Sequence, residues 1–345
     1  MHNGYNIGLS EDLQALITRG AAKAAAKAHA RQVNLEILWQ EWQIAERARE
    51  LFLQSHADSQ LQRVLTVTRD LLADHYRQDE IELQQDNATA NTVSADLTAL
   101  ADADANLRQL QLDINLTRHE LNQLLGLQPD VELSLIGQNE SRQLSRNEFQ
   151  AAVATLPHRR ADLLALQAGY QNQEQRLRKA ILAQFPSMSV GVQQARSAEE
   201  GVHTVGFTVN VTLPIFNRNR GQIAIQQATR AVLYQTYQAR LDQSVSEADQ
   251  ISQAAQIMAH QLQDLHERLS KLKEIAATAE HNFQQGNLDA ATYVSLKSNF
   301  LAQQAQAIRL RAALDQAQSA LRMLLGLPFD DRPSASASLS APPAF

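Results

Sequence analysis

The sequence predicts a mainly α chain with a small β part, in which long helical hairpins are duplicated and joined to a few antiparallel strands. Three observations predict it. First, the composition is helix-forming: Ala, Gln, Leu, Arg and Glu dominate, with only 12 glycines and 8 prolines in 345 residues and 5% aromatics. Second, one stretch, Pro186 to Gly221, alternates as a β-hairpin does. Third, the chain repeats itself: LNQLLGL and LRMLLGL place Gly126 and Gly326 200 residues apart, and at the same offset Gln84-Gln85-Asp86-Asn87 meets Gln284-Gln285-Gly286-Asn287.

Taken in order, residues 5–13 (YNIGLSEDL) alternate weakly and read as a strand, pairing Tyr5, Ile7 and Leu9 against Asn6, Gly8 and Ser10. A long helix is expected over 20–85, opening at Gly20. The Asp86-Asn87 pair breaks it, because Asp and Asn favour turns and caps. A return helix over 87–127 stops at Gly126 and Pro129, and residues 128–157 form a connecting segment. The second repeat, 158–327, is expected to hold a helix over 158–185, a hairpin over 187–213, a long helix over 221–285 and a return helix over 287–326. Residues 328–345 (beginning PFDDRPSAS) read as a low-complexity, disordered tail. From Gly20 to Asp86 is 66 residues, roughly 99 Å at 1.5 Å per residue, so a rod is expected.

In the hairpin, Met188, Val190 and Val192 alternate with Ser189, Gly191 and Gln193, and Val205, Phe207, Val209 and Val211 alternate with small or polar residues. Period-two alternation gives one apolar and one wet face. Both a membrane barrel strand and a half-buried sheet in a soluble protein show that pattern.

The net charge of −6 argues against a general nucleic-acid partner. The absence of cysteine excludes a disulfide framework, a thiolate metal site and a cysteine nucleophile. No run of about 18 apolar residues suits a membrane-spanning helix. No nucleophile–base set, phosphate loop or metal constellation stands out, so no enzyme activity, cofactor or metal is expected. His75 with Asp79 is a lone pair. Asn217-Arg218-Asn219-Arg220-Gly221 reads as a polar corner with an Asn capping the next helix. Trp39 and Trp42 read as packing.

The run TLPIFNRNRGQIAIQQA, the PHRRADL opening, the turn in NFQQGNLDAATYV and the duplicated LLGL ending resemble the outer-membrane efflux protein family, the TolC-like group, over residues 5 to about 328. The segment VNLEILWQEWQIAERARELFLQ is most similar to its heavy-metal efflux branch (CzcC- and CusC-like). The resemblance implies a homotrimer in the Gram-negative outer membrane, extending into the periplasm. Each subunit would give strands to one shared β-barrel and two helical hairpins to an α-barrel tunnel. It implies three partners: outer-membrane lipid, a periplasmic adaptor, and an inner-membrane pump of the RND type. The duct is passive, and heavy-metal cations are the implied solutes.

The same resemblance assigns roles to residues. Met188, Val190, Val192, Val205, Phe207, Val209 and Val211 would face lipid. Gly286, Asn287, Leu288 and Asp289, with Asp86 and Asn87, would form tips that meet the adaptor. Glu274, Glu280, Asp70 and Asp74 would lie near the narrow end of the tunnel and could gate it. The first repeat departs from the pattern: its first short helix, first strand and signal peptide are missing, so an N-terminally truncated member is expected. Glu11 also falls where Val211 faces outward. The rival expectation is a soluble coiled-coil scaffold derived from this family, its hairpin a small capping sheet.

Overall fold

A computed structural model describes residues 4–137, 143–197, 202–213 and 217–328. The elements run β1 (Tyr5–Asp12), α1 (Leu13–Gln84), α2 (Ala90–Leu124), α3 (Arg146–Arg159), α4 (Ala161–Leu182), β2 (Ser187–Arg196), β3 (His203–Thr212), α5 (Arg220–Gln284) and α6 (Ala290–Leu324). The tail beyond Pro328 lies outside the described residues, as do residues 198–201 of the expected hairpin.

Three boundaries differ from expectation. Helix α1 begins at Leu13, and Gly20 sits inside it. The start belongs to Asp12, whose carboxylate accepts from the Gln14 amide at 2.8 Å. The segment expected to be a connector contains α3, opened by a reciprocal cap: the Glu148 carboxylate accepts from the Ser145 amide at 2.8 Å, and the Ser145 hydroxyl from the Glu148 amide at 3.3 Å. Pro157 therefore lies in the last turn of α3 and opens nothing. The break comes at Arg160, which is extended (φ −77°, ψ 120°).

In space the chain forms two compact units that cut across the two sequence repeats. One comprises Met1–Gln40 and Ala154–Val245, the other Glu41–Val153 and Ser246–Phe345. The first holds the antiparallel sheet, in the order β1-β2-β3. In the second, Leu61 and Val64 of α1, Leu110 of α2 and Leu301 and Ala305 of α6 form one core. Ala307 and Leu314 of α6 join Ala255, Leu262 and Leu265 of α5 in another. Helix α6 thus buries two stripes, one against each neighbour, and the cores are made of small and branched aliphatic side chains that let helices pack closely.

The duplication is visible in the backbone. Asp86, Gly126, Gly286 and Gly326 all take positive φ (62°, 67°, 74° and 65°). Each ends a helix with the same pair of hydrogen bonds, such as Asn87 N–H to the Glu82 carbonyl at 2.8 Å and Asn287 N–H to the Asn282 carbonyl at 2.8 Å. Buried Asn122 and Arg322 then tie down the segments that follow: the Asn122 amide donates to the Val131 carbonyl at 2.8 Å, and the Arg322 guanidinium to the Pro328 carbonyl at 3.3 Å.

The sheet, the hairpin tips and the buried polar clusters

The sheet register places the apolar residues together. Met188 pairs with Val211, Val190 with Val209, Val192 with Phe207, and Gln194 with Val205. On the other side Leu9 pairs with Val192 and Ile7 with Gln194. Side chains in directly paired positions share a face, so two β1 residues extend the row read from β2 and β3. The opposite face carries Gly8, Gln193 and Gly206 in one row and Ser10, Gly191 and Thr208 in the next. The apolar face is uncovered in the chain: Phe207 is 85% and Leu9 82% exposed. Glu11 pairs with Val190 on that face, near the end of the sheet that joins the helices. At the far end Tyr5, Arg196 and His203 form one row, with Tyr5 Oη 3.4 Å from His203 Nδ1. Aromatic and polar side chains flanking an apolar band are what an interface between lipid and water favours.

Where β3 leads towards α5, Arg218 and Asn219 are both left-handed (φ 44° and 53°). The Asn219 side-chain amide donates to the Ala180 carbonyl near the end of α4, at 2.8 Å.

The two tips are exposed turns of matching geometry. Thr89 caps α2 by accepting from the Thr92 amide at 3.2 Å. Asp289 caps α6 by accepting from the Thr292 amide at 2.8 Å and hydroxyl at 2.7 Å. The backbone bond, then the hydroxyl, holds the Asp289 carboxyl below its ordinary value. Phe283 and Tyr293 stack across the second hairpin with ring centroids 4.8 Å apart, which fixes the helices that present Gly286, Asn287 and Leu288.

Three of the four carboxylates expected at the gate are engaged within the chain. Asp70 pairs with Arg69 and Asp74 with Arg77, both at 2.9 Å, and Glu280 with Lys297 at 2.8 Å. Glu274 is exposed, and among the described residues no ion pair engages it.

Two buried polar clusters were not legible in the sequence. In the first unit the Arg160 guanidinium donates to Asp162 at 2.8 and 2.9 Å, and Arg240 to the same carboxylate at 2.9 Å. The Trp39 ring lies against Arg160, 4.7 Å from guanidinium carbon to ring centroid. Burial alone would raise the Asp162 carboxyl, but the two guanidiniums hold it below its ordinary value. Trp39 and PHRRAD thus belong to one structural node. In the second unit, Asp96 of α2 joins the His75–Asp79 pair of α1.

No helix among the described residues is long and apolar enough to cross a membrane. No family model and no curated protein sequence matches the chain. Solved structures do. The outer-membrane protein VceC of Vibrio cholerae shares 17% identity at a TM-score of 0.76, over 94% of this chain and 80% of VceC. CusC, described in connection with transmembrane channel formation, shares 14% at 0.78, over 95% and 83%. The open-state outer-membrane channel MtrE of Neisseria gonorrhoeae shares 12% at 0.78, over 95% and 80%. CusC and VceC match about equally well, CusC by TM-score (0.78 against 0.76) and VceC by identity (17% against 14%), so the likeness singles out no heavy-metal branch. The chain has the fold of these outer-membrane channels, the TolC-like fold.

Proposed function

We propose that this chain is the outer-membrane exit duct of a tripartite efflux system, a passive homotrimer that carries solutes from the periplasm to the outside. The observation that carries the reading is the sheet. Nine apolar side chains on three strands share one uncovered face, while the other face is small and polar. A lipid-facing barrel wall needs that division, and a bilayer tolerates strands only when closure pairs every edge. In the isolated sheet β1 and β3 are edges, so neighbouring subunits would supply their partners.

In this reading the periplasmic adaptor docks on the tips, at Asp86 and Asn87 and at Gly286, Asn287, Leu288 and Asp289. An inner-membrane pump of the RND type supplies the energy. Of the four gate candidates, Glu274 is left to form a ring of three carboxylates in the trimer, which would favour cations. Asp70, Asp74 and Glu280 serve their own ion pairs. Heavy-metal cations remain one class of proposed solute.

The test compares two substitutions on adjacent residues of β3. Phe207→Asp places a charge in the lipid-facing row, where burial in hydrocarbon costs several kcal/mol at the midplane. Thr208→Asp places it on the polar face. The proposal expects Phe207→Asp to leave the outer-membrane fraction and lose conductance in planar bilayers, with Thr208→Asp retained and conducting. Equal recovery of both from the soluble fraction would support a soluble scaffold instead.

A further inference from the structure

Between α1 and α2, two helical turns from the first tip, lie three side chains that the export reading does not use. His75 and Asp79 are one turn apart on α1 and face α2, and Asp96 reaches them from α2. His75 Nδ1 is 3.6 Å from Asp79 Oδ1, and His75 Nε2 is 3.8 Å from Asp96 Oδ1. One ligand atom from each residue can be chosen so that all three lie within 4.8 Å of one another.

The group is buried and incompletely satisfied. His75 is 6% exposed, and its Nδ1 has no hydrogen-bond partner. One Asp96 oxygen is also buried and unpartnered. Buried polar atoms without partners are rare, and an unrecorded ion is one of their explanations.

The repeat argues that the position does not need these groups in order to pack. At the offset of 200 residues the second hairpin carries Ile275, Ala279 and Leu296. There Ala279 is buried, Leu296 half-buried and Ile275 exposed, and a buried ionisable set costs stability unless something compensates it.

We propose that His75, Asp79 and Asp96 form a site for one divalent transition-metal cation of the Zn2+ class, which clamps α1 to α2 close to the first tip. An imidazole and two carboxylates are an N/O donor set that such ions accept, and two carboxylates balance the charge of a dication. Bonds of about 2.0–2.2 Å would draw the three ligand atoms together by roughly an ångström. Further coordination positions would be open to water. Holding two helices near the turn would limit the motion of the 85–89 tip. The inference rests on the fold and on these residues, and stands whether or not the chain exports anything.

The test uses the purified full-length chain in detergent, stripped with a chelator and titrated calorimetrically with ZnCl2. One ion per chain is expected. Asp96→Leu should weaken binding at least about tenfold, since loss of even an outer-shell partner costs that much. His75→Ile/Asp79→Ala/Asp96→Leu, which installs the second hairpin's residues, should keep the helical circular dichroism and lose both the binding and the Zn2+-dependent rise in Tm. Co2+ should give a visible absorption band in the parent chain that His75→Ile abolishes. Absence of stoichiometric binding, or binding unchanged by Asp96→Leu, would overturn the proposal.

Discussion

Asp162 offers a sharp test of how the first unit is held together. Its carboxylate lies between two guanidiniums, and the side chain of one, Arg160, is 0% exposed. Asp162→Asn keeps the size and one acceptor but removes the charge that the buried Arg160 guanidinium, which lies against Trp39, meets at 2.8 and 2.9 Å. Breaking a buried pair by removing one member costs about 3–5 kcal/mol. The retained Asn oxygen offsets part of this, so about 3 kcal/mol is expected. The Glu174–Arg230 pair in the same unit provides the control. Its distance is also 2.9 Å, but its side chains are 46% and 40% exposed, and Glu174→Gln should cost less than about 1 kcal/mol. Denaturant unfolding of the purified chain, followed by helical circular dichroism, measures both. The wild-type contribution of Asp162 should be present above its ordinary value of 3.8 and be lost as the pH falls through its lower folded-state value. Equal effects of Asp162→Asn and Glu174→Gln, or a change below about 1 kcal/mol for the former, would refute the reasoning.

Two other perturbations have defined signs. Asp86 and Gly286 occupy equivalent left-handed positions, and nothing lies within 4 Å of where a Gly286 Cβ would be, so substitution there acts through backbone conformation alone. Gly286→Ala should destabilise by about 1 kcal/mol and Asp86→Gly should stabilise by somewhat less, measured by the same unfolding assay. Glu46 accepts from the Ser319 hydroxyl at 2.9 Å, and burial pushes its carboxyl from 4.5 up to about 7. The folded chain thus keeps a proton that the unfolded chain releases. Its stabilising contribution is full below pH 4.5 and is lost as pH rises through about 7. Because the side chain is partly solvated, the change should be on the order of 1–2 kcal/mol, and Glu46→Gln should abolish it.

What the sequence disclosed follows from which signals are local. Period-two alternation over 188–192 and 205–211 identified the residues of the apolar row, since a strand has only two faces. The helix ends at Asp86, Gly126, Gly286 and Gly326 were legible because a left-handed residue has a narrow chemistry. Gly20 misled, because a glycine tolerated inside a long helix resembles one that starts it, while the Asp12 cap lay eight residues earlier. Helix α3 had a readable signal, Ser145 and Glu148 at capping-box spacing, that the nearby Pro157 outweighed. The clusters were hidden for a different reason. Asp162 and Arg240 are 78 residues apart, and Asp96 meets Asp79 only because α2 folds back on α1. Such meetings depend on helix register across a turn, which no single window contains.

The absence of cysteine allows the central claim to be tested directly. Single cysteines placed in turn along residues 204–211 can be spin-labelled in the chain reconstituted into lipid bilayers. Collision with dissolved oxygen and with a water-soluble nickel chelate is then measured at each position. The account predicts that labels at 205, 207, 209 and 211 meet oxygen and are shielded from nickel, while those at 204, 206, 208 and 210 show the reverse. Uniform access to nickel along all eight positions would contradict it, because no face of the sheet would then lie in lipid.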